Sequence, residues 1–297
     1  NMDLVTYVTR HPKIGETIMG KEFKQIPGGK GANQADAIAK LGVPVKMLGC
    51  VGDDMMSKVL LTALQQDGVD ISKIERFNDI STGIAAITVD SEGKNCIVVT
   101  PGANYRFLGE HIHNIQEAIS DSDIIVAQLE IPLETVRQSL GLAKKLDKIT
   151  ILNPAPAFEL DDEFLACVDI LIPNETELEH LSGVSIQSEM EIIAASRILI
   201  QKGVKDVIVT LGEKGCIYVS SDRISTFPAY QVNAVDTTAA GDSFIGAIAV
   251  ALSEGKTIEE AVHFAMAVAA LTVTKMGAQS SLPYRCEVNA LLLGHEG

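Results

Sequence analysis

"DIIVAQLEIPLETVRQSLGLAKKLDKITILN" occupies residues 123–153. Its first seven residues form a short apolar run, which reads as a buried strand. "LETVRQSLGLAKKL" (133–146) then places apolar residues at helical spacing, and "ITILN" (149–153) is a second short apolar run. Strand, helix and strand in one unit make parallel pairing, since parallel neighbours need a long crossover. The pattern continues. "DILIPN" (169–174) is strand-like, "ETELEHLSG" helical, "MEIIAASRILIQKG" (190–203) helical and "DVIVTLG" (206–212) strand-like. Repetition of this unit predicts an α/β fold, a doubly wound and mainly parallel sheet with helices on both faces.

The first hundred residues read differently. "LVTYV" (4–8), "ETIMGKEFKQIP" (16–27), "GIAAITVD" (83–90) and "NCIVVTPG" (95–102) look like strands, the last two joined by the short loop "SEGK". They bracket helical stretches at 31–41 and 54–67. We read a small β-sheet attached to the edge of the α/β unit, within a single domain spanning 1–297. Ligands of open α/β sheets bind beyond the carboxyl ends of the strands, so a small sheet near that edge could act as a lid.

Composition narrows the function. The chain has 297 residues, 46% of them hydrophobic, which suits a sizeable core. Its net charge of −15 opposes nucleic-acid binding, which normally needs a basic face. Five cysteines lie scattered with no metal-binding spacing, as in a reduced, cytoplasmic protein. Apolar runs such as "AMAVAALTV" (265–273) are too short to span a bilayer, and no secretory signal is visible. An acidic protein that handles phosphates must hold them with local N–H groups or a metal.

Several short stretches could do so. "NAVDTTAAGDSF" (233–244) sets Ala239, Ala240 and Gly241 before an apolar helix, and Asp242 directly behind them. N–H groups at such a helix start can converge on an anion. Asp242 is then either a cap or a base beside that anion. "PGGKGANQA" (27–35) fits neither the dinucleotide nor the Walker fingerprint. Lys30 and Asn33 nevertheless offer donors where a helix begins; a plain glycine turn is the competing reading. In "PNETEL" (173–178) Asn174 and Glu177 stand three apart, as a capping pair or as a polar pair facing one way. "TLGEKG" (210–215) reads as a hairpin turn or a ligand loop, and "GAQSS" (277–281) as a helix cap or part of a site.

Together "NMD" (1–3), "GGKGANQA", "PNETE", "TLGEKG", "DTTAAGDSF" and "GAQSS" resemble the motifs of the ribokinase-like family of sugar kinases, in order and across the whole chain. With Glu130 in "QLEIPLE", they resemble its ribose-phosphorylating members most. That resemblance implies ATP-dependent phosphorylation of D-ribose at its 5-hydroxyl. It also leaves another sugar or nucleoside kinase, or a non-catalytic sugar-binding regulator, as alternatives. It implies that Asn1, Asp3, Gly29, Lys30, Asn33 and Glu130 bind sugar hydroxyls. Asp242 would be the base, with Ala239, Ala240 and Gly241 forming the anion hole. Asn174, Thr210, Gly212 and Gly215 would line the ATP site, and Glu177 would act on magnesium through water. A potassium ion would lie among Asp236, Ser281 and the main-chain oxygens of Thr238, Thr272, Lys275 and Gly277. The resemblance further implies a homodimer through the β lid. It also implies a strand and a Gly-Ser-x lead-in ahead of residue 1, where this sequence opens on "NMDLV".

Overall fold

The structure, a computed structural model, describes residues 1–108 and 112–295. The strands are β1 (Met2–Tyr7), β2 (Glu22–Pro27), β3 (Lys46–Gly52), β4 (Asp70–Phe77), β5 (Ile84–Val89), β6 (Asn95–Thr100), β7 (Ile124–Ala127), β8 (Ile149–Leu152), β9 (Ile170–Leu171), β10 (Asp206–Thr210), β11 (Cys216–Val219) and β12 (Ile224–Phe227). The α-helices are α1 (Lys30–Lys40), α2 (Met55–Gln66), α3 (Ile112–Ser120), α4 (Leu133–Lys145), α5 (Asp162–Leu165), α6 (Glu175–Ser182), α7 (Glu189–Gln201), α8 (Ala240–Ser253), α9 (Ile258–Thr272) and α10 (Arg285–His295).

The large sheet runs in the order β12-β11-β10-β9-β8-β7. The three pairs from β7 to β10 are parallel, and β11 and β12 add an antiparallel edge. Its strands are apolar on both sides because both faces are covered. Ile151, Ile170 and Ile208 point into a core shared with α1, α8, α9 and α10. Their neighbours Leu152, Leu171, Val207 and Val209 point into a second core with α4, α5, α6 and α7. This is the α/β layering that the strand-helix alternation predicts.

Strand β2 begins at Glu22, six residues later than the apolar pattern from residue 16 suggests. Gly15, at φ 78°, and the exposed residues around it lie in a bend, and pairing with β1 starts only at the Tyr7–Glu22 register. Four further strands were not among those expected: β3 and β4, and the antiparallel edge strands β11 and β12. β3 and β4 pair parallel to each other. Gly49 and Gly52 interrupt the apolar run of β3, and β4 ("DISKIERF") carries five charged or hydroxyl side chains, so neither shows the usual strand signature.

The small sheet has the order β2-β1-β5-β6, with β1 and β5 parallel and the outer pairs antiparallel. Its edge strand β6 is exposed along its whole length, including Ile97, Val98 and Val99.

Helix α8 is the structural centre. Its residues from Asp242 to Ala251 are all buried, which explains why it is apolar all round rather than striped. It packs directly on α1, and Gly246 makes the approach close. A Cβ at Gly246 would lie 2.9 Å from the Ala37 Cβ and 3.0 Å from the Gln34 carbonyl oxygen. One turn toward the N-terminus of that contact stands Asp242, so the same close packing brings the α1 side chains to it. Among the described residues no helix is long and apolar enough to cross a membrane.

Candidate active site

Asp242 is not a cap. Helix α8 starts after Ala239 with no side-chain capping bond, and both Asp242 oxygens turn away to α1. Asn33 Nδ2 donates to Oδ2 at 2.9 Å and Gln34 Nε2 donates to Oδ1 at 3.0 Å. The residue as a whole is 8% exposed. Burial raises its pKa above the ordinary aspartate range, against the pull of the Lys30 charge and the two amide bonds. A carboxylate so placed is a proton acceptor more readily than a surface aspartate.

The residues around it form a second layer of amides. Gln34 Nε2 also reaches Asn153 Oδ1 at 3.4 Å, and the Gln34 oxygen accepts from Gln128. On the other side Gln279 Nε2 approaches Asn33 Oδ1 at 3.4 Å. An amide presents a donor on one end and an acceptor on the other. Engaging each oxygen therefore turns the NH₂ groups of Asn33 and Gln34 toward Asp242.

Ala239 adopts a left-handed conformation, φ 60° and ψ 8°, uncommon for a residue with a side chain. This kink ends the loop and turns the chain into α8. The first-turn N–H groups have no acceptor within the helix. Ala239, Gly241 and Asp242 line one cavity together with Lys30, Asn153, Asn174, Glu177, Thr210 and Thr237. An added Cβ at Gly241 would meet no atom within 4 Å, so this glycine opens onto the cavity.

Opposite α8 the cavity is closed by the carboxyl ends of the parallel strands, as open α/β sheets require. Asn174 and Thr210 follow β9 and end β10, and bridge to each other. Asn174 and Glu177 form a reciprocal capping box on α6, with bonds of 2.8 and 2.9 Å. The capping reading is therefore realised, yet Glu177 also lines the cavity, and burial raises its carboxyl. Gly212 and Gly215 lie in the turn between β10 and β11, at φ 58° and 98°. A Cβ at Gly215 would collide with the Phe227 carbonyl oxygen, so that glycine answers a backbone need.

Asp3, Lys30 and Glu130 gather at the start of α1. The Lys30 N–H donates to Glu130 Oε2 at 2.9 Å across a hundred residues of chain. Gly28 packs against Asp3, whose carboxylate would sit 2.4 Å from an added Cβ. Burial pushes the Asp3 carboxyl up to about 6, with Glu130 and Asp242 adding to the rise. Asn1 Oδ1 accepts from Asn104 Nδ2 at 2.7 Å, and Gly29 lies beside Asn1 at φ 91°. Sequence reasoning did not single out Asn104, Gln34, Gln128, Asn153, Thr237 or Gln279. Gln34, Thr237 and Gln279 stand inside the quoted motifs, Gln128 beside Glu130 in "QLEIPLE" and Asn153 at the end of "ITILN"; only Asn104 carries no such signal.

Asp236 joins two loops. It accepts from the Thr238 N–H at 3.0 Å and hydroxyl at 2.6 Å, and from the Gly277 N–H at 2.9 Å. Burial alone would raise its carboxyl, but these bonds hold it below the usual range. Ser281 is buried and donates to the Ala278 carbonyl, while the Thr272 carbonyl receives the Lys275 N–H. The Lys275 side chain pairs with Glu287. Among the described residues no three histidine, cysteine or acidic side chains cluster for a metal.

A family model described as pfkB family carbohydrate kinase matches residues 1–285. The ribokinase of Haemophilus influenzae is 41% identical over 97% of this chain and 94% of its own length. The deoxyribokinase of Salmonella typhi is 42% identical over 95% and 92%. Among solved structures, Arabidopsis thaliana ribokinase complexed with ribose and ATP superposes with a TM-score of 0.94 at 36% identity, covering 98% of this chain and 96% of that one. Ribokinase from Thermotoga maritima gives 0.90 at 43% identity, over 99% and 96%.

Proposed function

The chain belongs to the pfkB family of carbohydrate kinases, and we propose that it transfers the terminal phosphoryl group of ATP to the 5-hydroxyl of D-ribose. The observation that carries this is the buried Asp242, oriented by α1 amides beside an open helix start. Its carboxylate takes the proton of the sugar hydroxyl. The sugar oxygen bonds to the γ-phosphorus as the bond from that phosphorus to the β-phosphate oxygen breaks, giving ribose 5-phosphate and ADP. The N–H groups at Ala239 and Gly241, which line the cavity with Asp242, would meet the charge that develops on the transferring group, where fixed donors lower the barrier, while the Ala240 N–H donates to the Thr237 carbonyl oxygen at 3.3 Å.

Asn1, Asp3, Gly29, Lys30, Asn33 and Glu130 hold the sugar in this reading. Asn174, Thr210, Gly212 and Gly215 border the nucleotide. The carboxylate of Glu177 suits magnesium carried with ATP, acting through water, since it lines the cavity close to Lys30. The four-stranded sheet serves as the lid of a single domain. Scattered, unpaired cysteines agree with a cytoplasmic setting.

An uncharged sugar fits better than a sugar phosphate. Asp3 and Glu130 stand close enough to raise the Asp3 carboxyl, the Lys30 charge acts on Asp242 and Glu177, and among the described residues no arginine lines the cavity to fork a second phosphate. A coupled assay over a sugar panel tests this. Ribose is expected to show the highest kcat/KM, above 2-deoxyribose and far above fructose 6-phosphate. Preference for 2-deoxyribose would move the chain to the deoxyribokinase type, and preference for fructose 6-phosphate would remove the pocket assignment.

Activity is expected to depend on potassium. The ligands in this reading are all oxygens: the Asp236 carboxylate, which also accepts the Thr238 and Gly277 N–H groups, Ser281, and main-chain oxygens of Thr238, Thr272, Lys275 and Gly277. A cation there would tie the loop before α8 to the turn after α9 and preorganise the donors. Initial rates in potassium should exceed those in sodium at equal ionic strength, and Asp236→Ala should lose the difference while keeping residual activity. Equal rates in both salts for the unmodified protein would dismiss the ion.

A second copy of this chain is the expected partner of the lid. An exposed apolar edge strand invites pairing, and β6 presents Ile97, Val98 and Val99 at 49–67% exposure. The protein should run as a dimer in sedimentation, and Val98→Asp should shift it toward monomer. A monomeric unmodified protein at micromolar concentration would refute this.

A further inference from the structure

Lys40 closes α1, far from the cavity lining, yet its side chain is 6% exposed and surrounded by charge. Its Nζ lies 3.1 Å from Asp36, 3.4 Å from Asp67 and 2.6 Å from the Gln279 carbonyl oxygen. The Tyr284 ring stands 5.7 Å away. Asp36 is fully buried with the Asp67 carboxyl beside it; burial and that second acid push it up to about 7, against the pull of the Lys40 charge. A buried pair of this kind commonly contributes less than apolar residues of similar size would, because both charges leave water. Stability is therefore a poor reason for the arrangement.

Connectivity supplies a better one. Lys40 holds the backbone of Gln279. The Gln279 side chain contacts Asn33 Oδ1 at 3.4 Å, and Asn33 Nδ2 bonds Asp242 at 2.9 Å. A Gln279 that drifted would leave the Asn33 amide free to turn its oxygen toward the carboxylate, replacing attraction by repulsion.

We propose that Lys40 is a positioning residue for phosphoryl transfer: anchored by Asp36 and Asp67, it fixes the Gln279 turn, which in turn orients the Asn33 amide on Asp242. The inference rests on the reading of Asp242 as the base. Its test separates support of the fold from support of the reaction. Lys40→Met leaves Asp36 unpaired and should lose both thermal stability and rate. The double variant Asp36→Leu with Lys40→Met removes the stranded charge, so its melting temperature should recover. Its kcat should stay down about tenfold, the rate equivalent of one good hydrogen bond, with KM for ATP unchanged. Lys40→Arg, which keeps charge and donors, should restore most of kcat. Gln279→Met, which leaves the ion cluster in place, should lower kcat by a similar factor. Recovery of kcat together with stability in the double variant, or normal kcat in Gln279→Met, would overturn the proposal. Asp242→Asn measured alongside tells the two failures apart, since full activity there would remove the base itself.

Discussion

Asp242→Asn is expected to lower kcat by about 10²–10⁴-fold, the usual cost of removing a general base. ATP binding and the fold should persist, since the side chain is nearly isosteric and the α8 backbone does not depend on it for a cap. A capping role would have made asparagine an equal substitute. The variant should also differ in its response to pH. Burial raises the folded pKa of Asp242 above its unfolded value. The folded state therefore binds the proton more tightly, and stability falls as pH rises from the ordinary aspartate range through the raised value. Asparagine has no such titration. Melting curves at pH 5 and pH 8 should show the difference between variant and unmodified protein moving in favour of the variant at the higher pH. In the unmodified enzyme, the acid limb of kcat should lie above the ordinary aspartate range. A variant that keeps more than a tenth of kcat, or a stability difference that does not change with pH, would contradict this account of Asp242.

Gly241→Val should separate the cavity from the fold. A Cβ at Gly241 meets nothing within 4 Å, so added methyl groups enter the cavity, where the transferring phosphoryl group would lie. The expected loss in kcat is about 10²–10³-fold, as for removal of an anion-hole donor, with the melting temperature little changed. Gly246→Val, five residues on in the same helix, gives the opposite pattern. Its Cβ strikes Ala37 and the Gln34 carbonyl, so overpacking should cost about 1–3 kcal/mol of stability, read as a lower denaturation midpoint. Equal loss of stability in both variants would mean that Gly241 is a packing position. Unchanged kcat in Gly241→Val would place the phosphoryl group elsewhere.

The layered fold was legible because its signals are local. Strands buried on both faces are short apolar runs, and the helices between them keep their own spacing; each can be read in a window of a dozen residues. β3 and β4 were not legible, since glycines and charges broke the pattern and only pairing with each other makes them strands. The site divides along the same line. The sequence by itself placed Asp242 behind a run of small residues, Lys30 at the start of a helix and Glu177 beside its cap, because these are matters of order along the chain. It could not choose between cap and base for Asp242. That depends on whether its oxygens find N–H groups of their own helix or amides of another, and those of Asn33 and Gln34 are more than two hundred residues away. The close approach of α1 and α8 at Gly246 turns the carboxylate to those amides and rules out the cap. The same approach brings in Asn153 and Gln279, and burial then raises the carboxyl, an effect with no counterpart in any local pattern of residues.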